Sequence, residues 1–303
     1  MNKPGPGIEF NRWASFDEHT WPYRLLMKYD LELMLMWGTH ISSAGFTFNC
    51  LKKNGANAND SPGQHFKAGV NHDSFIPTLK DWSDAFNEFD NWVRLTVLLT
   101  LASNLETYIA AVVKLAITSD PAVLIGASRA VDGAYVLKHG KPETILHDDV
   151  VIACTKGDWS SRISSIKRTF GECPTGLSDL HGDLEVLRKI RNRFGHAFGR
   201  DIDAARKTGA LKILPIEKVS RKTTERLRFV TINAAKALDV FLLSKHIGDF
   251  EALNFYHELY PSLHKHVNQG QRAQDFKIFI GRFGASPRGK IYCKGLVKYW
   301  EEL

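Results

Sequence analysis

Between Arg188 and His196 the chain reads Arg-Lys-Ile-Arg-Asn-Arg-Phe-Gly-His, a cluster of residue types that can move protons and hold anions. A histidine titrating near neutrality can accept or donate a proton. A guanidinium stays charged and offers a fork of donors that matches phosphoryl oxygens. On an ideal helix Asn192 and His196 are i and i+4 and share a face, with Arg188 one turn earlier on the same line. Arg191 stands five positions before His196, about 140° away around the helix. Only its long side chain, or a distortion at Gly195, could bring the two together. Gly195 is therefore expected either to end the helix or to act as its hinge.

The helix itself is legible. Leu180, Leu184, Leu187, Ile190, Phe194 and Phe198 recur at intervals of three and four, the pattern of one buried face, and Gly195 and Gly199 weaken its end. Charge concentrates in the same place. The protein has 303 residues and a formal net charge of +7. The stretch Arg188–Arg228 holds 13 basic and 4 acidic residues, a balance of +9, so the remainder sums to −2. Such concentration reads as an anion-binding surface, most simply for nucleic acid, or as a solvated basic face.

Arg191-Asn192-x-x-x-His196 resembles the Arg-(four to six residues)-His motif of the HEPN superfamily, in which a polar residue, often Asn, follows the Arg. HEPN domains also place a long helix before the motif helix, here the segment with Leu105-Glu106-Thr107-Tyr108, and another after it, here Leu227 to Lys245. The resemblance covers about residues 85–246. It implies a helical bundle and a metal-independent endoribonuclease, without cofactor, of the kind found in toxin–antitoxin, anti-phage and CRISPR-linked systems. RNA would be cut by its own 2′-hydroxyl, leaving a 2′,3′-cyclic phosphate and a 5′-hydroxyl. Arg191, Asn192 and His196 would be catalytic. Arg188 and Arg193 would hold flanking phosphates, and Glu106 would pair with Arg191 across the bundle. A single His196 cannot easily serve both in-line positions, so a homodimer with a composite site is implied, with an antitoxin or regulatory partner to silence it.

The remaining chain is expected to be mainly α-helical: an N-terminal extension over 1–84, the HEPN-like bundle over 85–246 and a helical tail over 247–303. Thr20-Trp21-Pro22 opens a helix through the apolar run Tyr23–Trp37. A long polar loop follows over about 50–77. Asp81 can cap a second helix from about Trp82, and a central helix, apolar around most of its circumference, runs from about Phe89 to Ile117. Ser119-Asp120-Pro121 ends it, with Asp120 capping a short successor. Asp158 can cap a helix from Trp159 to about Phe170, and short strands are expected near Leu211–Ile216.

Other features exclude or compete. Charges flank an 11-residue uncharged run, Leu95–Leu105, against the ~18 residues a membrane span needs. A cytoplasmic protein without membrane attachment is expected. Cys50, Cys154, Cys173 and Cys293 form no CxxC pair, so no zinc or redox motif is signalled. Gly284–Lys290 matches the start of a P-loop. Ile291 replaces the magnesium-binding Ser/Thr and only 13 residues follow Lys290, so a basic turn before the last helix is expected. His257, His264 and His266 lack zincin spacing, and Phe255, Tyr256 and Tyr260 are expected to pack the tail. Two alternatives stay open: a non-catalytic HEPN-like module that binds RNA, a nucleotide or a protein, and a helical interaction protein whose motif is accidental. His196 could also cap the last carbonyls of its helix, and Arg191 could pair with a structural carboxylate.

Overall fold

A computed structural model describes residues 8–66, 75–140, 148–197, 215–263, 268–282 and 287–303, the side chains of His196 and Ala197 excepted. The described residues are 77% helical and contain no strand. The helices are α1 (Trp21–Lys53), α2 (Leu79–Ser119), α3 (Gly133–His139), α4 (Asp148–Thr155), α5 (Trp159–Phe170), α6 (His181–Ala197), α7 (Arg221–Leu242), α8 (Phe250–Leu263), α9 (Gln269–Ile280) and α10 (Lys290–Glu302).

Several elements form where the sequence places them. The Thr20 hydroxyl accepts the Tyr23 N–H (3.3 Å) at the start of α1, and Asp158 caps α5 by accepting the Ser161 N–H (2.8 Å). Other boundaries differ. α1 runs on to Lys53 because Trp37, Ile41 and Ala44 continue its inward stripe. α2 is one helix where two were expected, since nothing between Trp82 and Phe89 breaks it. Its cap is Thr78, whose hydroxyl takes the Asp81 N–H (3.2 Å), while Asp81 sits in the first turn. The described part of the expected strand region, 215–216, is irregular, and 211–214 lie outside the described residues. Asp120 makes no capping bond. Its carboxylate instead takes the Arg129 N–H (2.7 Å), the Ser128 hydroxyl (2.5 Å) and His246 Nδ1 (2.9 Å).

α2 is the central helix. Leu95, Leu98, Val112, Val113, Ala116 and Ile117 on it have no solvent exposure. Among the described residues it is the one helix long and apolar enough, by length and composition, to cross a membrane. Half of its most apolar window is buried inside the protein.

The chain packs as two compact units, and residues 85–246 contribute to both. The first draws on Met1–Leu26, Leu105–Gly182 and Ile232–Leu303. Here the segment before α1 is locked onto the end of the chain. Arg12 is buried and bonded through each guanidinium nitrogen: Nε to Asp132 (2.9 Å), Nη1 to the Ile247 carbonyl (2.8 Å) and Nη2 to Ser119 (2.9 Å). Gly248 has φ +54°, and a Cβ there would lie 2.4 Å from the Arg12 carbonyl, so the close approach demands glycine. Phe10 and Phe16 pack on Tyr292 with centroids 5.6 and 4.9 Å away. Arg288, expected in a basic turn, is buried: it donates to Asp17 (2.5 Å) and lies over Phe16 and Tyr292. Gly284–Ser286 lie outside the described residues. Tyr256 is fully buried against Phe276 and Trp300, so this tail aromatic packs as expected.

Buried carboxylates face the same segment. Asp239 accepts the Thr20 hydroxyl (2.5 Å), His19 Nδ1 (3.0 Å) and the Tyr108 hydroxyl (3.3 Å). Glu251 accepts the Trp21 N–H (3.0 Å), and Asp249 the Phe16 N–H (2.8 Å). Burial pushes Glu251 up to about 7 and Asp249 to about 6, against partial relief from those N–H bonds. A carboxylate whose folded pKa is raised contributes stability that is fully present below its unfolded value and lost as pH rises through the folded one. The melting temperature is therefore expected to fall between pH 5 and 8, and Glu251→Gln, neutral at every pH, should flatten that decline. Melts by circular dichroism across the range check it; an unchanged pH slope in the variant refutes the assignment to Glu251.

Candidate functional site

The second unit, Met27–Asn104 with Asp183–Thr231, carries the motif. Leu184, Leu187, Ile190 and Phe194 are buried as the periodicity predicts, and Leu187, Ile190 and Phe194 pack with Leu33, Trp37, Leu95 and Leu98 in one core. Phe198 lies outside the described residues. This apolar anchoring turns the opposite, polar side of α6 outward.

α6 stays helical through Gly195 to Ala197. Gly195 has no positive φ, and a Cβ there would meet nothing within 4 Å. It neither ends the helix nor distorts it. Arg191 Nη1 donates to Asn192 Oδ1 (3.0 Å). Asn192 precedes His196 by one turn on the same face. Both Arg191 and Asn192 are half-buried. His196 belongs to the helix, and its side chain lies outside the described residues.

The other expected site residues have protein partners. Arg188 holds Glu185 through two bonds (2.9 and 2.6 Å), and Arg193 holds Glu217 the same way (2.9 and 2.6 Å). Glu106 accepts Arg162 Nη2 (2.9 Å). Among the described residues of the basic stretch, four more cations meet carboxylates: Lys218 meets Glu88, Arg221 Glu225, Arg226 Asp183 and Arg228 Asp30. Four of these carboxylates, Glu185, Asp183, Glu88 and Asp30, lie outside the stretch in sequence.

Asn91 gives the site its frame. It is buried on α2; its amide N–H₂ donates to the Glu217 carbonyl (2.8 Å) and its oxygen accepts the Val219 N–H (2.9 Å). Arg94 Nε adds a bond to the Val219 carbonyl (2.7 Å). Residues 215–220 are thereby fixed along α2, which sets Glu217 in reach of Arg193. Sequence reasoning missed Asn91 and Glu217. Glu185 was within its reach, since i,i+3 spacing from Arg188 announces the pair.

Among the described residues no group of three or more His, Cys, Asp or Glu side chains is placed to hold a metal ion. His257 packs on Trp300 (5.3 Å), and His264 and His266 lie outside the described residues. No family model, curated protein or solved structure matches the chain. The arrangement on α6 must be judged by its own chemistry: a guanidinium tied to an amide, one turn from a histidine on a rigid helix.

Two stability measurements test this frame. Asn91→Ala leaves the Val219 N–H and the Glu217 carbonyl unpaired, and each lost buried bond costs about 1–3 kcal/mol. Urea denaturation should show a loss in that range, and a change under about 0.5 kcal/mol contradicts the role. Gly195→Ala fills open space on a continuous helix and should stabilise by about 0.5–1 kcal/mol. Destabilisation by that substitution contradicts the unbroken helix.

Proposed function

We propose that the protein is a HEPN-type, metal-independent endoribonuclease that uses Arg191, Asn192 and His196. The observation that carries this reading is the Arg191–Asn192 hydrogen bond (3.0 Å) on an unbroken helix. It draws the guanidinium off its own radial direction toward the line of Asn192 and His196. A phosphate bound there would meet a fixed donor fork, an amide and a proton-transfer group on one face.

In the proposed reaction the RNA 2′-oxygen attacks the adjacent phosphorus and surrenders its proton to a base. The bond from phosphorus to the 5′-oxygen breaks, and that oxygen receives a proton from an acid. Arg191 stabilises the charge that builds on the non-bridging oxygens. Asn192 holds Arg191 in place. His196 supplies one proton transfer, and His196 of a second copy supplies the other, so the working form is a homodimer. Arg188 and Arg193 reach flanking phosphates by exchanging Glu185 and Glu217 for the ligand. Such activity suits a cytoplasmic toxin or defence effector held in check by a partner.

A non-catalytic RNA- or protein-binding module is favoured by one observation: six basic residues of the stretch already face carboxylates, which weakens the general attraction for RNA. Purified protein incubated with RNA in EDTA separates the two. Cleavage leaving cyclic-phosphate ends is expected, reduced at least ~100-fold by His196→Ala or Arg191→Ala, the scale of a lost acid–base or charge-stabilising group. Salt-sensitive binding without cleavage selects the module, and cleavage by His196→Ala at the wild-type rate sinks the enzyme reading.

A further inference from the structure

The second unit contains a cleft of about 180 Å³ built from α1, α2 and the first residue of α7. Phe48 and Phe86, with ring centroids 5.5 Å apart and planes at 82°, form an apolar corner. Asn87, Asp90, Arg94 and Arg221 supply the polar lining. Asp90 is held between His40 Nε2 (3.0 Å) and Arg94, and Arg94 is itself fixed on the Val219 carbonyl (2.7 Å). The carboxylate is thus immobile yet keeps spare lone pairs, because each oxygen can accept twice. Asn87 is exposed one turn before Asp90 on the same helix face and carries both a donor and an acceptor.

A rigid apolar corner with a few convergent polar groups is the usual form of a small-molecule site. Its volume is close to the roughly 150 Å³ that holds benzene, so the apolar corner matches a single six-membered ring. Its polarity limits the guest further. Asp90 accepts and therefore suits an exocyclic amine, as carboxylates suit the amino group of cytosine. The Asn87 amide can donate to the ring's acceptors beside that amine. Arg221, largely exposed at the mouth and paired with Glu225 (3.0 Å), would take a phosphate by exchanging that carboxylate for it.

We propose that this cleft is a nucleotide-binding site that seats one cytosine base, with its phosphate toward Arg221. The choice of a nucleobase among flat heteroaromatic rings rests on the ribonuclease reading. The direction of the strand follows from the aromatic side chains on α2. From Phe86, ring centroids step to Phe89 (6.3 Å), Trp92 (6.0 Å) and Phe194 (6.4 Å). Phe89 and Trp92 are exposed and step toward the motif helix, where Phe194 itself is buried in the core, so the two exposed rings are the ones a base can reach. Bases of a single strand stack on such rings with little sequence preference. The cleft then chooses the base while the motif cuts at a fixed distance from it.

Calorimetric titration of the full-length protein with CMP, UMP, AMP and GMP, and with a 2′-O-methyl cytidine hexamer that cannot be cut, tests the site. CMP is expected to bind at least fivefold tighter than either purine nucleotide. Asn87→Ala and Asp90→Asn should each weaken CMP at least tenfold, with melting curves as the control for folding. Hexamer binding that depends on Asn87 while CMP does not bind assigns the cytosine to an RNA chain; equal affinity for both assigns it to free nucleotide. Purine binding as tight as CMP, or no Asn87-dependent binding of CMP or hexamer, overturns the proposal. CMP binding without any RNA cleavage leaves the cleft standing and removes the ribonuclease. Cleavage that needs His196 but ignores Asn87→Ala and Asp90→Asn does the reverse.

Discussion

A single buried amide determines the form of the motif-bearing unit. Asn91 satisfies one backbone donor and one backbone acceptor of residues 215–220 at once, for which an amide's separate N–H₂ donor and oxygen acceptor are suited. Without it those residues would have no partner along α2 for their Val219 N–H and Glu217 carbonyl. Two consequences follow from the same clamp. Glu217 comes into bidentate contact with Arg193 of the motif helix, and Arg94, bonded to the Val219 carbonyl, is held where it also grips Asp90. The motif helix and the cleft therefore share one fixed backbone segment.

The charge of the chain looks different in three dimensions. Counted along the sequence, Arg188–Arg228 is a cationic block; among its described residues six cations pair with carboxylates, several drawn from distant positions. Exposed pairs of this kind add little stability, about 0–1 kcal/mol each. Their electrostatic effect is larger than their energetic one, because paired charges cancel beyond roughly a Debye length of 10 Å.

The first unit uses a different economy. Its N-terminal segment is held by Arg12, Asp17 and backbone N–H groups facing buried carboxylates rather than by a large apolar face. Burying charge is costly unless each group is fully bonded. Arg12 comes close to that condition, giving four of its five N–H bonds to acceptors on three separated parts of the chain. Asp249 and Glu251 meet it less completely, which is why burial raises them toward neutrality. The result is a unit whose specificity of packing comes partly from polar groups that fit only one arrangement.

Periodicity, capping residues and composition were enough to establish a mainly helical protein, the central apolar helix, the buried face of α6 and the ends of α5. These are local properties: a stripe at intervals of three and four, or an Asp before a helix, acts through residues a few positions away. They were also enough to single out Arg191, Asn192 and His196 as one candidate cluster, since spacing on a helix fixes which positions share a face. The same spacing is satisfied by a long Arg191 side chain and by a distortion at Gly195; the structure keeps α6 helical through Gly195 and bonds Arg191 to Asn192, while the His196 side chain lies outside the described residues. Tertiary structure alone decided the partners of Arg188, Arg193 and Glu106, the role of Asn91 and the cleft beside Asp90. Apart from the Glu185–Arg188 pair, each of these depends on groups brought together from far along the chain, and no local pattern encodes a contact that only packing creates.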